Sequence, residues 1–256
     1  MRTNIINVFI SLLIFGSGNI FAQDNNLNQF DSQDRRHGKW EKVYPKTGNI
    51  RYSGQFDHGG ETGTFKFYTK KNPDHPKATK TYSQNNNFVS IKYFDKKGKL
   101  KSKGKLKNRK RIGTWTYFFA ASGTKMMTED YQNDKLHGWK KVYYKNGKLT
   151  KEQQFKNGKE EGVKKMYSEN GTLSQMYTYR NGKLNGPSKL YNKSGEVIES
   201  GNYKNGRRKG LWKYFKNGQL EKTKKFPLKD PASERRTGEP EGYKDGGKPD
   251  MSEIRK

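Results

Sequence analysis

The sequence predicts an all-β protein, an elongated single-layer antiparallel meander of about eight stacked β-hairpin repeats. Three observations carry this expectation. A glycine recurs at Gly48, Gly98, Gly123, Gly147, Gly171, Gly195 and Gly218, with gaps after Gly98 of 25, 24, 24, 24 and 23 residues. The 50-residue gap between Gly48 and Gly98 holds one further unit, remodelled around Asn72 and Pro73. An aromatic stands four residues before every anchor: Tyr44, Phe94, Phe119, Tyr143, Tyr167, Tyr191 and Tyr214. Such self-similarity has to be recognised before any element is assigned, because each repeat is one unit that cannot bury its apolar face alone.

Each unit is short of room for a helix. Only about 8 to 10 residues separate one turn from the next, which suits a strand. Two residues after the anchor come Ile50, Leu100, Leu149, Leu173, Val197 and Leu220, with Lys125 the exception. Eight residues after it come Phe56, Leu106, Tyr131, Phe155, Tyr179, Tyr203 and Phe226. Both positions have the same parity, so a regular strand places them on one face, with Tyr167 and Tyr191 in the shared core. Asn-Gly follows a basic residue at Lys145, Lys156, Arg180, Lys204 and Lys216, and that dipeptide suits a type I′ hairpin turn. A lone hairpin is marginal in water, so eight units of two strands must stack edge to edge. Tyr143 and Tyr144 are neighbours in one strand and point oppositely, which leaves part of the aromatic set outside the core face.

Composition agrees with a thin, highly charged sheet. Only 29% of residues are hydrophobic, the mean hydropathy is −1.26, and the formal charge is +29, values that alone suit a disordered chain. Against disorder stand 16 Tyr, 14 Phe and 4 Trp. The absence of cysteine excludes disulfides, thiol nucleophiles and cysteine metal sites.

The ends differ from the repeats. Residues 1–22 read as a secretory signal, with Arg2 before the apolar run Ile5 to Phe15 and a small-residue end at Ala22. That run is about half the length needed to span a bilayer. The expected organisation is a signal peptide over 1–22, a short linker over 23–37, the repeat array over 38–226 and a flexible polar tail over 227–256. The tail carries seven basic and seven acidic side chains among four prolines. A docked cap through Phe226 and Leu228 is the alternative for its start.

The units resemble the MORN repeat, and more closely its shorter bacterial variant. The residues that carry the likeness run from Gly138-Trp139 through Tyr143-Tyr144-Lys145-Asn146-Gly147, and from Phe155 to Gly162, recurring at Tyr179 to Gly186 and Tyr203 to Gly210. The resemblance covers about residues 38 to 226 and implies an elongated hairpin meander. Some bacterial relatives carry an antitoxin label. The pattern departs at Lys70 to Pro76 and at Pro187, where continuity of the sheet is at stake.

Motifs for chemistry are sparse. His37, His58, His75 and His137 include no i, i+2 or i, i+4 pair, and they read as exposed turn residues. No nucleophile elbow, phosphate loop or dinucleotide fingerprint occurs. Glu160-Glu161 lies among lysines and reads as a charge-compensated turn. The sequence therefore points to no enzyme, catalytic residue, cofactor or metal. What stands out is positive charge in register: Lys156, Arg180 and Lys204, then Lys159, Lys183 and Arg207, each series at intervals of 24. The signal segment, the linker and the tail contribute +1, −1 and 0, so the repeats carry the whole +29. Equivalent turns then fall about 10 Å apart on one edge, suited to an anionic polymer, lipid surface or acidic protein. The same lysines also protect sheet edges and keep a long sheet soluble, and the sequence leaves both uses open. The expected function is an exported, non-enzymatic repeat scaffold that binds a partner protein or an anionic envelope polymer or lipid. The alternative is an antitoxin-like or effector protein inhibiting one specific protein target. Export and the lack of a base-reading module argue against nucleic acid.

Overall fold

The computed structural model describes residues 26–82 and 88–226. The proposed signal segment, the whole tail including Leu228, and residues 23–25 of the linker lie outside them. Eighteen strands form one sheet. They are β1 (Gln29–Phe30), β2 (Arg36–Val43), β3 (Ile50–Asp57), β4 (Gly60–Phe67), β5 (Ala78–Tyr82), β6 (Val89–Phe94), β7 (Leu100–Lys107), β8 (Lys110–Phe118) and β9 (Lys125–Gln132). The second half comprises β10 (Lys135–Tyr143), β11 (Leu149–Lys156), β12 (Lys159–Tyr167), β13 (Leu173–Arg180), β14 (Lys183–Leu184), β15 (Gly186–Tyr191), β16 (Val197–Lys204), β17 (Arg207–Lys216) and β18 (Gln219–Phe226). Every strand pairs antiparallel with its neighbour in sequence, β14 and β15 forming one interrupted rung against β13. With that rung counted once and the two-residue β1 set aside, sixteen strands remain, which is eight hairpins. No register among the described residues joins β18 to β2, so the meander is open.

Both doubtful places are bridged. Asn72 turns the chain through its amide to the Thr69 carbonyl at 3.2 Å, and Lys77 resumes pairing with Phe67 at 2.8 Å. Pro187 lies opposite Asn202 inside β15, and its carbonyl accepts a hydrogen bond from Thr178 Oγ1 at 3.0 Å. The folded unit also begins before residue 38: Gln29 and Phe30 pair with His37 and Arg36.

Two kinds of turn alternate. At Asn157-Gly158, Asn181-Gly182 and Asn205-Gly206 both residues have positive φ, from 52° to 84°, as a type I′ turn requires. Asn217-Gly218 behaves alike, so four of the five basic-Asn-Gly segments fold as expected. The fifth does not. After Lys145 only Gly147 has positive φ, 85°, and the loop of three residues closes through the Gly147 amide to the Tyr144 carbonyl at 2.9 Å. Loops of this kind need glycine at their last, left-handed position.

The loops differ in length, and this mixes the aromatic column. By pairing, the residue on the loop side of the register shift at this end of each hairpin is Val43, Phe94, Phe118, Tyr143, Tyr167, Tyr191 or Phe215. Tyr44, Phe119 and Tyr214, counted back from glycine, are therefore not structural equivalents of Tyr143.

A second correction concerns the faces. Tyr143 pairs with Leu149 but Val142 pairs with Lys151, leaving Thr150 as an extra residue. The same one-residue bulge occurs at Arg51, Lys101, Met126, Ser174, Ile198 and Glu221. A bulge reverses the alternation of side chains. The apolar position two after the glycine therefore shares a face with Tyr143, Tyr167 and Tyr191, while the position eight after it lies on the opposite, core face. Tyr167 and Tyr191 are half-buried, and Tyr167 donates its hydroxyl to Glu152 Oε1 at 2.9 Å. Tyr167→Ala is accordingly expected to cost about 1–2 kcal/mol, for one hydrogen bond and part of a ring, and not the ~3 kcal/mol of a core truncation. Urea unfolding followed by tryptophan fluorescence checks this.

The core face is buried without a second layer because rings lie on glycines. Trp115 and Trp212 are 1% and 0% exposed, and Phe65 is 1%. A Cβ on Gly104 would stand 2.3 Å from Trp115, one on Gly201 2.2 Å from Trp212, and one on Gly54 2.4 Å from Phe65. Neighbouring strands close the sides. Trp212 meets Tyr203 and Phe226 edge-on, with ring centroids 5.1 and 5.9 Å away, and the Arg208 guanidinium covers it at 4.0 Å. Arg111 covers Tyr131 at 3.9 Å, and Arg36 lies over Trp40 at 5.0 Å. The segments Arg36-His37-Gly38-Lys39-Trp40, Arg111-Ile112-Gly113-Thr114-Trp115 and Arg208-Lys209-Gly210-Leu211-Trp212 thus repeat one packing device. Burial pushes the hydroxyls of Tyr117 and Tyr177 up to about 12, with Glu129 adding to the effect at Tyr117.

Between these aromatic stacks the core face turns polar. Where Trp115 and Trp212 stand in their units, the middle units have Lys140, Lys164 and Ser188, all buried. Lys140 Nζ approaches the fully buried Glu129 at 3.4 Å, and Tyr131 donates its hydroxyl to the other oxygen of Glu129 at 2.5 Å.

Candidate functional site: a basic hairpin edge

The hairpin turns at one edge of the sheet bring the registered cations together. Lys156 pairs directly with Lys159, Arg180 with Lys183, and Lys204 with Arg207, across three successive type I′ turns. All six side chains are exposed. Like charges directly opposite one another weaken a hairpin, so these pairs work against the fold. The edge extends beyond the six residues singled out by the sequence: Lys107 pairs with Lys110 around Asn108-Arg109. That turn escaped the sequence pattern because Arg109 replaces the glycine, with φ of 63°. Adjacent tips carry Lys135 opposite Gln132.

Backbone contacts fix the spacing of this edge. The Gly158 amide donates to the Leu136 carbonyl at 2.8 Å, Gly182 to Glu160 at 2.9 Å, and Gly206 to Leu184 at 2.8 Å. Each tip is thereby tied to the hairpin before it. Glu161 takes part structurally, accepting the Asn181 amide at 2.8 Å and so holding the next tip. A shallow, open depression lined by Trp139, Gln154, Phe155 and Gly162 lies beside Lys156. It lacks the enclosure with which small-ligand sites desolvate their ligands.

The opposite face offers a different surface. Phe94, Phe118, Tyr143, Tyr167, Tyr191 and Phe215 form a half-buried row by register, and Leu211 and Leu220 are each 53% exposed. Lys125 covers Tyr143 at 4.1 Å.

Residues 136–157, 160–181 and 184–205 match the family model described as the MORN repeat variant. No curated protein matches the chain. The three matched repeats are consecutive and contain Lys156, Arg180 and Lys204; Lys159 and Lys183 fall in the two-residue gaps between them, and Arg207 lies two residues past the third.

Proposed function

On the premise that the array carries MORN-variant repeats, a class of binding and scaffold module and not a known enzyme family, we propose that this chain is an exported, non-enzymatic scaffold whose basic edge docks an extended anionic partner, an envelope polymer or lipid surface. The observation that carries this reading is the row of cross-strand cation pairs Lys156/Lys159, Arg180/Lys183 and Lys204/Arg207. Solubility requires positive charge but not its concentration opposite itself, where it opposes hairpin formation. Export rests on residues 1–22 alone.

The row of aromatic residues on the opposite face favours a second reading, an antitoxin-like or effector protein that inhibits one protein target through an apolar interface. Salt separates the two. Binding to anionic phospholipid vesicles or an acidic polysaccharide is expected to weaken steeply as ionic strength rises above about 0.1 M, where the Debye length is about 10 Å. Capture of a single protein from the cell envelope that survives high salt would favour the second reading.

A further inference from the structure

The first unit departs from the basic edge in a chemically directed way. Where other tips carry Lys107, Lys156, Arg180 or Lys204, this one carries Asp57. Where Asn108, Asn133, Asn157, Asn181 and Asn205 occupy the first left-handed position of the turn, it carries His58, with φ of 45°. Asparagine tolerates that conformation better than most residues, so an imidazole there is a costly choice for the backbone. The cation opposite is also gone, since Asp57 pairs with Gly60.

The side chains converge with one from β2. His37 Nδ1 lies 3.6 Å from Asp57 Oδ1, and His58 Nε2 lies 3.7 Å from the same oxygen. One donor atom from each of the three residues lies within 4.8 Å of the others. Donors on one ion at bond lengths of about 2.0–2.2 Å stand roughly 3.0–3.6 Å apart, so small side-chain rotations suffice to close the set. His37 and His58 are 21 residues apart, which is why no local spacing betrayed them.

A carboxylate behind His58 completes the arrangement. Asp31 Oδ2 lies 2.7 Å from His58 Nδ1, and Asp31 is held by the amides of Gln33 and Arg35 at 2.9 and 3.0 Å. The hydrogen bond from His58, before the smaller contributions of those amides and of Arg35, holds the Asp31 carboxyl well below the usual carboxylate range. In the tautomer with the proton on Nδ1, His58 donates to the Asp31 carboxylate and Nε2, on the Asp57 side, is left free as a ligand atom, the carboxylate–histidine relay of zinc sites. Arg35 Nη2 also lies 2.9 Å from Nδ1, an approach that suits the other tautomer, so a metal ion on Nε2 requires Nδ1 to donate to Asp31 in its place, while Arg35 Nε stays on Asp31 at 2.8 Å. Arg36 is drawn away over Trp40.

We propose that His37, Asp57 and His58 form a site for one divalent transition-metal ion of the zinc type, with Asp31 as the positioning residue that orients His58. Two imidazoles and a carboxylate are a borderline donor set that suits zinc over calcium or magnesium, and the fourth position is left to water. The site is exposed, so metal exchanges with solvent.

Calorimetric titration of the untagged chain with zinc chloride, and separately with calcium chloride, tests this. One equivalent of zinc is expected and no calcium. His58→Asn restores the residue of the other turns, so it keeps the fold, with an unchanged thermal transition without metal, while weakening zinc binding at least ~10-fold. Asp31→Asn is expected to weaken it by about 10-fold or more through loss of the relay. On zinc addition the imidazole resonances of His37 and His58 should shift while those of His75 and His137 stay. No zinc uptake, or uptake that His58→Asn and Asp57→Asn leave unchanged, would overturn the proposal.

Discussion

Trp212→Ala is expected to destabilise the last two units by about 3–5 kcal/mol, the range for truncating a fully buried aromatic. The ring is 0% exposed and is held between Tyr203, Phe226, Arg208 and the backbone of Gly201, so its loss leaves a void that a single-layer sheet has no second layer to fill. Gly201→Ala should be harmful for the complementary reason, since its methyl would stand 2.2 Å from the ring. The double variant should be less unstable than the two losses added together, because the alanine methyl then occupies space the ring has vacated. Repeats couple mainly to their neighbours, so hydrogen exchange should rise in β16 to β18 and change little in β2 to β6. Strict additivity would show that ring and glycine do not pack as described.

Lys140→Met is expected to cost on the order of 3–5 kcal/mol, despite adding apolar surface to a core face. It removes the ammonium 3.4 Å from a Glu129 carboxylate that is 0% exposed, leaving a buried charge without that partner. The paired change Glu129→Gln with Lys140→Met should recover most of the loss, since the Tyr131 hydroxyl can still bond the amide oxygen that replaces the carboxylate. Chemical denaturation of the single and double variants measures this, and equal losses for both would contradict a charge-based account.

The repeat number, the strands and most turn types were legible because they depend on residues with distinctive backbone behaviour: glycine and asparagine at positive φ. The faces were not. The bulge positions Arg51, Lys101, Met126, Thr150, Ser174, Ile198 and Glu221 share no side-chain chemistry, so nothing in the residue types announces the loss of alternation. The burial of Lys140 and Lys164 is equally hidden in the sequence: it depends on which neighbour shares their face, and in the middle units that neighbour is Glu129 or Gln153 and not a glycine. The six cations of the basic edge were legible from their interval of 24, whereas the first tip was not, because its character comes from residues brought together by pairing.

The most direct test of the functional account removes charge from the edge and from elsewhere in equal number. One variant changes Lys156, Lys159, Arg180, Lys183, Lys204 and Arg207 to Gln; the other changes the exposed strand residues Lys66, Lys92, Lys103, Lys189, Lys213 and Lys225. Each basic residue near an anionic surface contributes about 1 kcal/mol, so the edge variant should bind anionic vesicles at least ~100-fold more weakly than the unchanged chain while remaining folded. The strand variant should lose far less. Equal losses in the two variants would show that net charge alone attracts the surface, and no loss in either would show that the edge has no part in binding.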